Sequence, residues 1–318
     1  MKAINWNDVG ELDKLFWDQN IRQFWVDEEI PLSNDKLVWD KKLNPDEKTV
    51  YQKVLGGLTF LDTQQASLGM PLVALHVNNP YAKSVLNFMG MMEHMHAKSY
   101  SSIFMTLCST EEINDLFAWV NHDKFLSEKT ELIVSYYKSI NDEKSLYLAM
   151  VCSVMLETFL FYSGFFYPLY LAGKGMMVNS GEIINLIIRD ESIHGVYVGL
   201  QAQELFNSFS PSLQSQMANQ AQAVFKLLFD LELEYTKSIY DKIGLSESVV
   251  NFVKYNANKA FANCGLDLPF SYLKDSDINP IVLMGLNTKT KTHDFFSTKG
   301  NGYVKAMKVE ELTDEDFL

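Results

Sequence analysis

Apolar residues recur every three or four positions along most of this chain, the spacing that places them on one face of an α-helix. No stretch shows the strict alternation or the turn residues typical of β-hairpins. The sequence therefore predicts an all-α fold. Prolines, glycines and capping residues divide the pattern into helices at about residues 11–23, 45–77, 80–108, 109–122, 127–140, 150–173, 180–209, 211–244 and 246–264, the last of which closes the helical part.

The predicted helix at 45–77 has a clear beginning and an irregular end. Asn44-Pro45-Asp46-Glu47 has the composition of a helix start, whereas Gly69-Met70-Pro71 interrupts the apolar spacing near the other end. Glycine and proline are common causes of bends in long helices. We expect one long, locally bent helix here.

The segment 150–173 is the most apolar part of the chain. It contains one charge, Glu157, in 24 residues and is long enough to cross a membrane. A charge in the middle of a bilayer is costly, whereas the interior of a helical bundle can use a carboxylate to bind a metal ion. We therefore predict a buried central helix and no membrane partner.

Charge and cysteine content exclude several classes of function. Lys and Arg number 27 and Asp and Glu number 40, so the net charge of −13 argues against a nucleic-acid-binding surface. The three cysteines lie far apart, which argues against disulfides and a thiolate zinc site and fits a reducing cytoplasm. The N-terminus lacks the apolar core of a signal peptide, so export is not indicated. We expect a cytoplasmic protein with a helical domain over residues 1–286 and a polar, flexible C-terminal tail over 287–318.

Two of the predicted helices carry the same Glu-x-x-His spacing, at Glu93 and His96 and again at Glu191 and His194. Residues three apart lie on one face of a helix, so each pair points in one direction. Their surroundings are apolar, and burying a charge without a partner costs several kcal/mol. A metal ion satisfies both side chains at once. For either motif taken alone, an ordinary surface or core pair is the alternative.

Two further carboxylates lie within apolar helices. Asp62 precedes Glu93 by 31 residues and Glu157 precedes Glu191 by 34, so the chain contains two similar halves. One carboxylate helix and one Glu-x-x-His helix in each half is the ligand arrangement of ferritin-like di-iron and di-manganese carboxylate proteins, with Asp62 replacing one glutamate. We therefore predict a ferritin-like helical bundle with long core helices. A buried helix residue bonded to a hydroxyl is the alternative for Asp62.

Charge counting favours two metal ions over one. The four carboxylates bring a charge of −4, which two divalent cations neutralise and which a single ion would leave at −2 in the core. Carboxylate and imidazole ligands suit manganese or iron, and the absence of thiolates disfavours zinc and iron–sulfur clusters. The predicted metal ligands are Asp62, Glu93, His96, Glu157, Glu191 and His194.

A tyrosine is predicted close to these ligands. Tyr100 follows His96 by four residues, so it lies one helical turn along, roughly 6 Å away by helical rise. Phe161, Phe165 and Ile187 share helix faces with ligand residues, which predicts a dry apolar environment. Such an environment is what a phenoxyl radical needs to persist. Packing alone is the alternative for a buried tyrosine.

The sequence around these residues resembles that of one enzyme family. The blocks that carry the resemblance are L-D-T-Q-Q, M-E-H-M-H-A-K-S-Y-S-S-I-F, L-E-T-F-L-F-Y-S-G-F, I-I-R-D-E-S-I-H-G-V-Y-V-G and T-K-T-H-D-F-F. Over nearly the whole chain they strongly resemble the small, radical-bearing subunit of class Ib ribonucleotide reductase. All six ligand positions and the radical tyrosine, Tyr100, are filled. The resemblance thus implies an active beta subunit of a ribonucleoside-diphosphate reductase.

The resemblance implies a role for each of these residues. Tyr100 would be oxidised to a stored radical beside two manganese or two iron ions, with manganese favoured. The radical would later pass to a cysteine of a separate large (alpha) subunit, which reduces ribonucleotides to deoxyribonucleotides. Trp25, His96 and Asp190 match the family's inner relay, with Asp190 placed to orient the other two. A solvated helix charge is the alternative for Asp190.

The resemblance also assigns roles to the tail and implies partners. Tyr303 would carry the radical to the large subunit, and the acidic and apolar last residues would fold onto a groove of that partner. An ordinary exposed tyrosine is the alternative for Tyr303. A homodimer through the long helices is expected, as is a flavodoxin-like activator that supplies the oxidant when manganese is used.

Two other classes of protein stay open when the residues are considered alone. A ferritin-like oxygenase, oxidase or catalase would share the metal ligands but would have no use for Tyr100, Trp25 and a tail tyrosine together. A metal-storage or structural helical protein is the non-enzymatic alternative.

Overall fold

The computed structural model describes residues 3–286, and regular structure within that range is helical, without a strand. This confirms the all-α prediction. The predicted tail, residues 287–318 with Tyr303, lies outside the described residues. The α-helices are α1 (Glu11–Arg22), α2 (Ser33–Lys41), α3 (Pro45–Gln64), α4 (Met70–His76), α5 (Pro80–Leu107), α6 (Thr110–Val120), α7 (Lys124–Lys138), α8 (Glu143–Met155), α9 (Phe161–Gly173), α10 (Val178–Ser208), α11 (Pro211–Tyr240), α12 (Ser246–Asn263) and α13 (Pro280–Leu286).

Short π-helical segments join two pairs of these helices end to end. The first π segment, Gln65–Gly69, connects α3 with α4, and the second π segment, Leu156–Leu160, connects α8 with α9. In each, the residue after the segment donates its N–H to the carbonyl five residues earlier. The helix predicted over 45–77 is therefore one helical run. Its irregularity falls just before Pro71, which has no N–H to offer to a regular α-helical ladder.

Helix starts follow the predicted capping chemistry. The Asn44 side chain accepts a hydrogen bond from the Glu47 N–H, and the Glu47 carboxylate accepts one from the Asn44 N–H. Ser109 and Glu112 form the same reciprocal pair at the start of α6. Such a capping box satisfies N–H groups that the first helical turn leaves without partners. The central helix begins at Glu143 and not at the predicted residue 150, because Asp142 caps the start of α8.

The apolar pattern misses two helices. The nine residues of α2 bury only Asp35 and Trp39, so this helix has no apolar stripe to reveal it. The seven residues of α13 are too few to show a helical period. The prediction that residues 246–264 form the last helix is therefore wrong, since α13 follows in the described part of the chain.

The run of α8, the second π segment and α9 lies at the centre of the bundle. An 18-residue window of this run is apolar enough to cross a membrane by composition, and 89% of that window is buried inside the structure. Helix α9 packs against α3, α10 and α13, and α8 packs against α7, α10 and α11. The prediction of a buried central helix is confirmed.

Glycines allow two close helix contacts beside the centre of the bundle. A Cβ atom on Gly164 of α9 would lie 2.6 Å from Leu58 Cγ of α3. One on Gly195 of α10 would lie 2.2 Å from Thr158 Oγ1 in the second π segment. Both distances are shorter than a van der Waals contact, so a larger residue would push these helices apart. The glycines thus hold α3, α9, α10 and the second π segment close together.

A charged pair is buried between α7 and α11. Lys129 Nζ lies 2.6 Å from Glu232 Oε2, and neither side chain has any exposed surface. The same ammonium lies 3.8 Å from the centroid of the Tyr235 ring, a distance at which a cation is attracted to the ring face. The other Glu232 oxygen makes no hydrogen bond with any residue that the structure describes. Each charge therefore depends on the other for compensation.

We expect Lys129→Met to lower the free energy of unfolding by about 3–5 kcal/mol, because it leaves the Glu232 charge buried without a partner. Lys129→Met combined with Glu232→Leu should lose much less, since neither charge is then buried. Urea unfolding of metal-free protein, followed by far-ultraviolet circular dichroism, measures both. A double variant as unstable as the single variant would contradict this explanation.

Candidate metal centre

The structure brings all six predicted ligand residues together at the centre of the bundle. Four different helical elements supply them: α3, α5, the second π segment and α10. None of the six side chains has exposed surface. These residues are Asp62 on α3, Glu93 and His96 on α5, Glu157 in the second π segment, and Glu191 and His194 on α10.

The six residues form two overlapping groups. Within each group, one possible ligand atom per residue lies within 4.8 Å of all the others. Glu93 and Glu191 belong to both groups, so either carboxylate would be within reach of two ions. The first group is Asp62, Glu93, His96 and Glu191, and the second is Glu93, Glu157, Glu191 and His194.

Both histidines direct Nδ1 into the cluster. His96 Nδ1 lies 2.9 Å from Glu191 Oε1, and His194 Nδ1 lies 2.7 Å from Glu93 Oε1. On the opposite side of its ring, His96 Nε2 lies 3.2 Å from Asp190 Oδ2. A ligating histidine commonly donates its second N–H to a carboxylate, which fixes the ring and its tautomer. His96 therefore has the environment of a metal ligand that binds through Nδ1.

Many polar atoms of the cluster have no hydrogen-bond partner among the described residues. Leaving such atoms buried and unsatisfied costs about 1–3 kcal/mol each, and more for charged groups. Because they belong to ligand-type side chains that face one another, a pair of cations would satisfy them together. The donor set therefore fits a dinuclear metal site. Apart from His194 Nε2, which lies across its ring from the cluster, the atoms are Asp62 Oδ1 and Oδ2, Glu93 Oε2, His96 Nδ1, Glu157 Oε2, and Glu191 Oε1 and Oε2.

The environment of three of the carboxylates raises their pKa values and so disfavours ionisation. Burial raises the pKa of Asp62, and the charges of Glu93 and Glu191 raise it further. Burial, followed by the charge of Glu93, also raises the pKa values of Glu157 and Glu191. Shifts of this kind indicate surplus negative charge in a place without water. Cations at this place would restore the ionised forms.

Glu93 and the two histidines shift in the direction opposite to the effect of burial. Burial would raise the pKa of Glu93, but the hydrogen bond from His194 and the adjacent His96 ring lower it to about 2. Burial would lower the pKa of both histidines. The neighbouring carboxylates of Asp190, Glu191 and Glu93 instead raise the pKa of His96, and those of Glu191 and Glu93 raise the pKa of His194. The cluster thus favours positive charge at each histidine, either a proton or a metal ion.

Tyr100 lies beside this cluster on α5 and is fully buried. Burial raises the pKa of Tyr100 well above its usual value, and the Asp62 carboxylate is the charged neighbour with the largest further effect. The phenol hydroxyl makes no well-formed hydrogen bond with any described residue. The three apolar residues predicted around the ligands, Phe161, Phe165 and Ile187, are also fully buried. Tyr100 therefore keeps its proton in a dry, weakly hydrogen-bonded position.

Trp25 and Asp190 meet on the far side of His96. Trp25 Nε1 donates a hydrogen bond of 2.7 Å to Asp190 Oδ2, the same oxygen that faces His96. The Trp25 and His96 rings are nearly parallel, at 18°, with centroids 6.3 Å apart. Asp190 is only 1% exposed, so the alternative of a solvated helix charge is wrong. One carboxylate thus orients both rings.

The sequence pattern did not identify two glutamines beside the predicted site residues. Gln23 Nε2 donates a hydrogen bond of 2.7 Å to Asp190 Oδ1, and the Gln23 carbonyl accepts one from Arg189. Gln65 Nε2 donates to Glu157 Oε1. No spacing rule marks Gln23, but Gln65 follows Asp62 by three residues and so lies on the same helix face.

Comparison with known proteins places the chain among proteins of one kind. The family model described as "Ribonucleotide reductase, small chain" matches residues 3–280. The "Ribonucleoside-diphosphate reductase subunit beta" of Bacillus phage SPbeta is 54% identical over 320 residues, which covers 99% of this chain and 96% of that protein. The protein of the same name from Bacillus subtilis (strain 168) is 55% identical over 319 residues, covering 99% and 95%.

A solved structure provides the same comparison for the fold. It is described as the dimanganese(II)-NrdF of Streptococcus sanguinis, is 44% identical in sequence and superposes with a TM-score of 0.86. The superposition covers 90% of this chain and 99% of that chain. The prediction of a ferritin-like helical bundle is confirmed.

We expect the purified chain to bind two Mn(II) ions, and Glu191→Ala to weaken both sites, because Glu191 belongs to both ligand groups. Glu157→Ala should weaken mainly the second site, since Glu157 belongs to one group only. Equilibrium dialysis with Mn(II), followed by metal analysis, measures the two sites. The exposed Glu204 on the same helix provides the control variant Glu204→Ala. Wild-type binding below about 1.5 ions per chain would contradict a dinuclear site.

Proposed function

Because the chain belongs to the ribonucleotide reductase small-chain family, we propose that Tyr100 is oxidised to a stored radical that starts ribonucleotide reduction in a separate large subunit. This chain acts in ribonucleotide reduction as the beta subunit of a ribonucleoside-diphosphate reductase. The observation that supports Tyr100 most directly is its full burial beside a cluster of six ligand-type residues.

The surroundings of Tyr100 suit the formation and storage of a radical. A metal pair held by the six ligand-type residues would supply the one-electron oxidant, which the side chains of this chain cannot provide. Tyr100 gives up one electron and its phenol proton. The raised pKa keeps that proton in place until oxidation, and Asp62 is the nearby carboxylate that can receive it. The buried apolar side chains around the site exclude water, which would otherwise reach the phenoxyl oxygen.

We propose that the radical leaves through His96, Asp190 and Trp25. The hydrogen bonds that Asp190 makes with Trp25 and His96 form a continuous polar link between the cluster and the N-terminal segment. Gln23 holds the second Asp190 oxygen, so the carboxylate cannot rotate away without losing that bond. Tyr303, outside the described residues, is proposed as the outer step toward the large subunit.

The metal pair is proposed to be manganese, with iron as a competent alternative. Carboxylates and imidazoles accept either metal, so the ligand set does not distinguish them. The name of the Streptococcus sanguinis neighbour, dimanganese(II)-NrdF, supports manganese. For a manganese form we also propose a flavodoxin-like activator protein as the source of the oxidant, because the family resemblance implies that molecular oxygen alone does not readily oxidise such a site.

The proposed assembly is a homodimer that works with the large subunit. Each chain would contribute one metal pair from its helical domain, residues 1–286, and one tail, residues 287–318, that docks on the large subunit. The acidic residues and the terminal Phe317-Leu318 suit a peptide that folds into a partner's groove. The cytoplasm is the proposed location, where the substrates of this reaction are found.

We expect Tyr100→Phe to retain both metal ions but to lose the radical and all ribonucleotide reduction. Phenylalanine fills the same buried space but has no phenol to oxidise. Electron paramagnetic resonance of the metal-loaded protein measures the radical, and a deoxynucleotide assay with added large subunit measures turnover. Unchanged ribonucleotide reduction in Tyr100→Phe would show that Tyr100 does not carry the radical. A wild-type protein that forms neither a radical nor deoxynucleotides would instead favour a ferritin-like oxygenase or a metal-storage protein.

We expect Tyr303→Phe to keep the metal ions, the Tyr100 radical and binding to the large subunit, while turnover falls to background. The reason is that radical transfer needs the Tyr303 phenol, whereas docking does not. Deletion of Asp314 to Leu318 is the matched comparison and should weaken subunit association instead, as measured by surface plasmon resonance. Wild-type turnover in Tyr303→Phe would show that the tail only docks.

A further inference from the structure

A second group of buried polar side chains lies against the metal cluster, around Gln65. The Gln65 amide nitrogen donates to Glu157 Oε1 and, at 2.7 Å, to Ser153 Oγ. The Gln65 amide oxygen accepts a hydrogen bond of 2.7 Å from the Tyr137 hydroxyl. Three helical runs therefore meet at one amide: α7, the run of α3 and α4, and the run of α8 and α9.

Both π segments take part in this contact. Gln65 is the first residue of one and Glu157 is the second residue of the other. Gly69, at the end of the first π segment, leaves the necessary space, because a Cβ there would lie 2.1 Å from Gln65 Oε1 and 2.9 Å from the Tyr137 ring. π-helical turns occur often at functional sites, where they change the direction of one side chain. Here they direct an amide and a ligand-type carboxylate toward each other.

The hydrogen bonds divide the two oxygens of Glu157 between two roles. Oε1 accepts from Gln65 and, at 3.2 Å, from Ser153. Oε2 makes no hydrogen bond with any described residue and lies 3.6 Å from His194 Nδ1, inside the second ligand group. A carboxylate with one oxygen occupied by donors has the other one left for a metal ion.

Tyr137 holds the orientation that Glu157 imposes on the Gln65 amide. An ionised carboxylate can only accept, so the amide nitrogen must face Glu157, and the Tyr137 hydroxyl then donates to the amide oxygen on the other side. With Tyr137 on one side and Glu157 on the other, a single amide orientation satisfies both. Tyr137 is 1% exposed, so water does not compete for this bond.

We propose that Gln65, held in place by Tyr137, is a positioning residue that makes Glu157 offer a single oxygen, Oε2, to the metal ion of the second ligand group. This inference rests on the part of the proposed function that places a metal pair in the cluster.

The test is the affinity of the purified, full-length chain for Mn(II), added as manganese chloride. Gln65→Leu removes the donor and keeps a buried apolar side chain of similar size. We expect affinity at one of the two sites to fall about 10- to 100-fold, the usual effect of losing a group that orients a metal ligand. The matched control is Gln64→Leu, since the adjacent Gln64 is half-buried and makes no side-chain hydrogen bond to this group among the described residues. It should bind Mn(II) as the wild type does.

A crystal structure of the Mn(II)-loaded variant gives a readout that a general loss of packing would not produce. In wild type only Glu157 Oε2 should coordinate, whereas in Gln65→Leu Oε1 should also reach the ion or the carboxylate should rotate. Tyr137→Phe is the second variant, and it decides the question if Gln65→Leu does not fold. It keeps the ring but frees the amide, and we expect affinity at the same site to fall about 2- to 10-fold.

Two results would overturn this proposal. One is wild-type Mn(II) affinity at both sites in Gln65→Leu, or in Tyr137→Phe if that is the variant that folds. The other is Glu157 coordinating through both oxygens in the wild type. Neither result affects the proposed role of Tyr100, which fails separately if wild type loaded with iron and exposed to oxygen forms no radical.

Discussion

Four carboxylates within a bundle interior that excludes water are the constraint on which the rest of this structure depends. Burial opposes their ionisation and their charges repel one another, and the raised pKa values of Asp62, Glu157 and Glu191 reflect both effects. A fold can maintain such a cluster only if its helices are rigid and if positive charge is available at the centre. Each half of the chain supplies two of the carboxylates from two helical runs, and close contacts at Gly164 and Gly195 hold the runs together. The apolar central helix is thus long and buried because it supports one charged residue in its middle.

Hydrogen bonds connect the cluster to the rest of the protein in two directions. In each direction a side chain outside the cluster bonds the atom of a ligand-type residue that faces away from the cluster centre. On one side, Asp190 joins His96 to Trp25. On the other side, Gln65 joins Glu157 to Tyr137. In both cases the supporting group is fully hydrogen-bonded, whereas the ligand-type atoms it supports are not. The ligand-type side chains are therefore held in position by neighbours whose own hydrogen bonds are complete, and the unpaired ligand atoms stay available for metal ions.

Much of this arrangement could be predicted from the sequence, because the spacing of two residues in a helix determines whether their side chains lie on the same face. Glu93 with His96, and Glu191 with His194, lie three apart, and the apolar neighbours of Asp62 and Glu157 indicated burial. Contacts between distant segments could not be predicted in this way. The burial of Asp190 depends on a loop residue, Trp25, that lies 165 positions away, and the contact of Gln65 with Glu157 spans 92. The π segments were also missed, since a hydrogen-bond shift of one residue leaves no regular mark on the pattern of apolar residues. Helices α2 and α13 were missed because they have no apolar stripe long enough to recognise.

The two π segments also bear on how such a helical protein can acquire a site in evolution. A π turn holds one residue more than an α turn, so it can absorb one extra residue without rotating the helix beyond it. Inserting one codon into an ancestral helix therefore changes side-chain directions only within the π turn, and the residues on either side keep their contacts. An insertion of this kind can redirect a carboxylate into the interior without the two ends of the helix having to be repacked. The position of Glu157 within five π-helical residues, between two regular and fully packed helices, is the arrangement that such a history would leave.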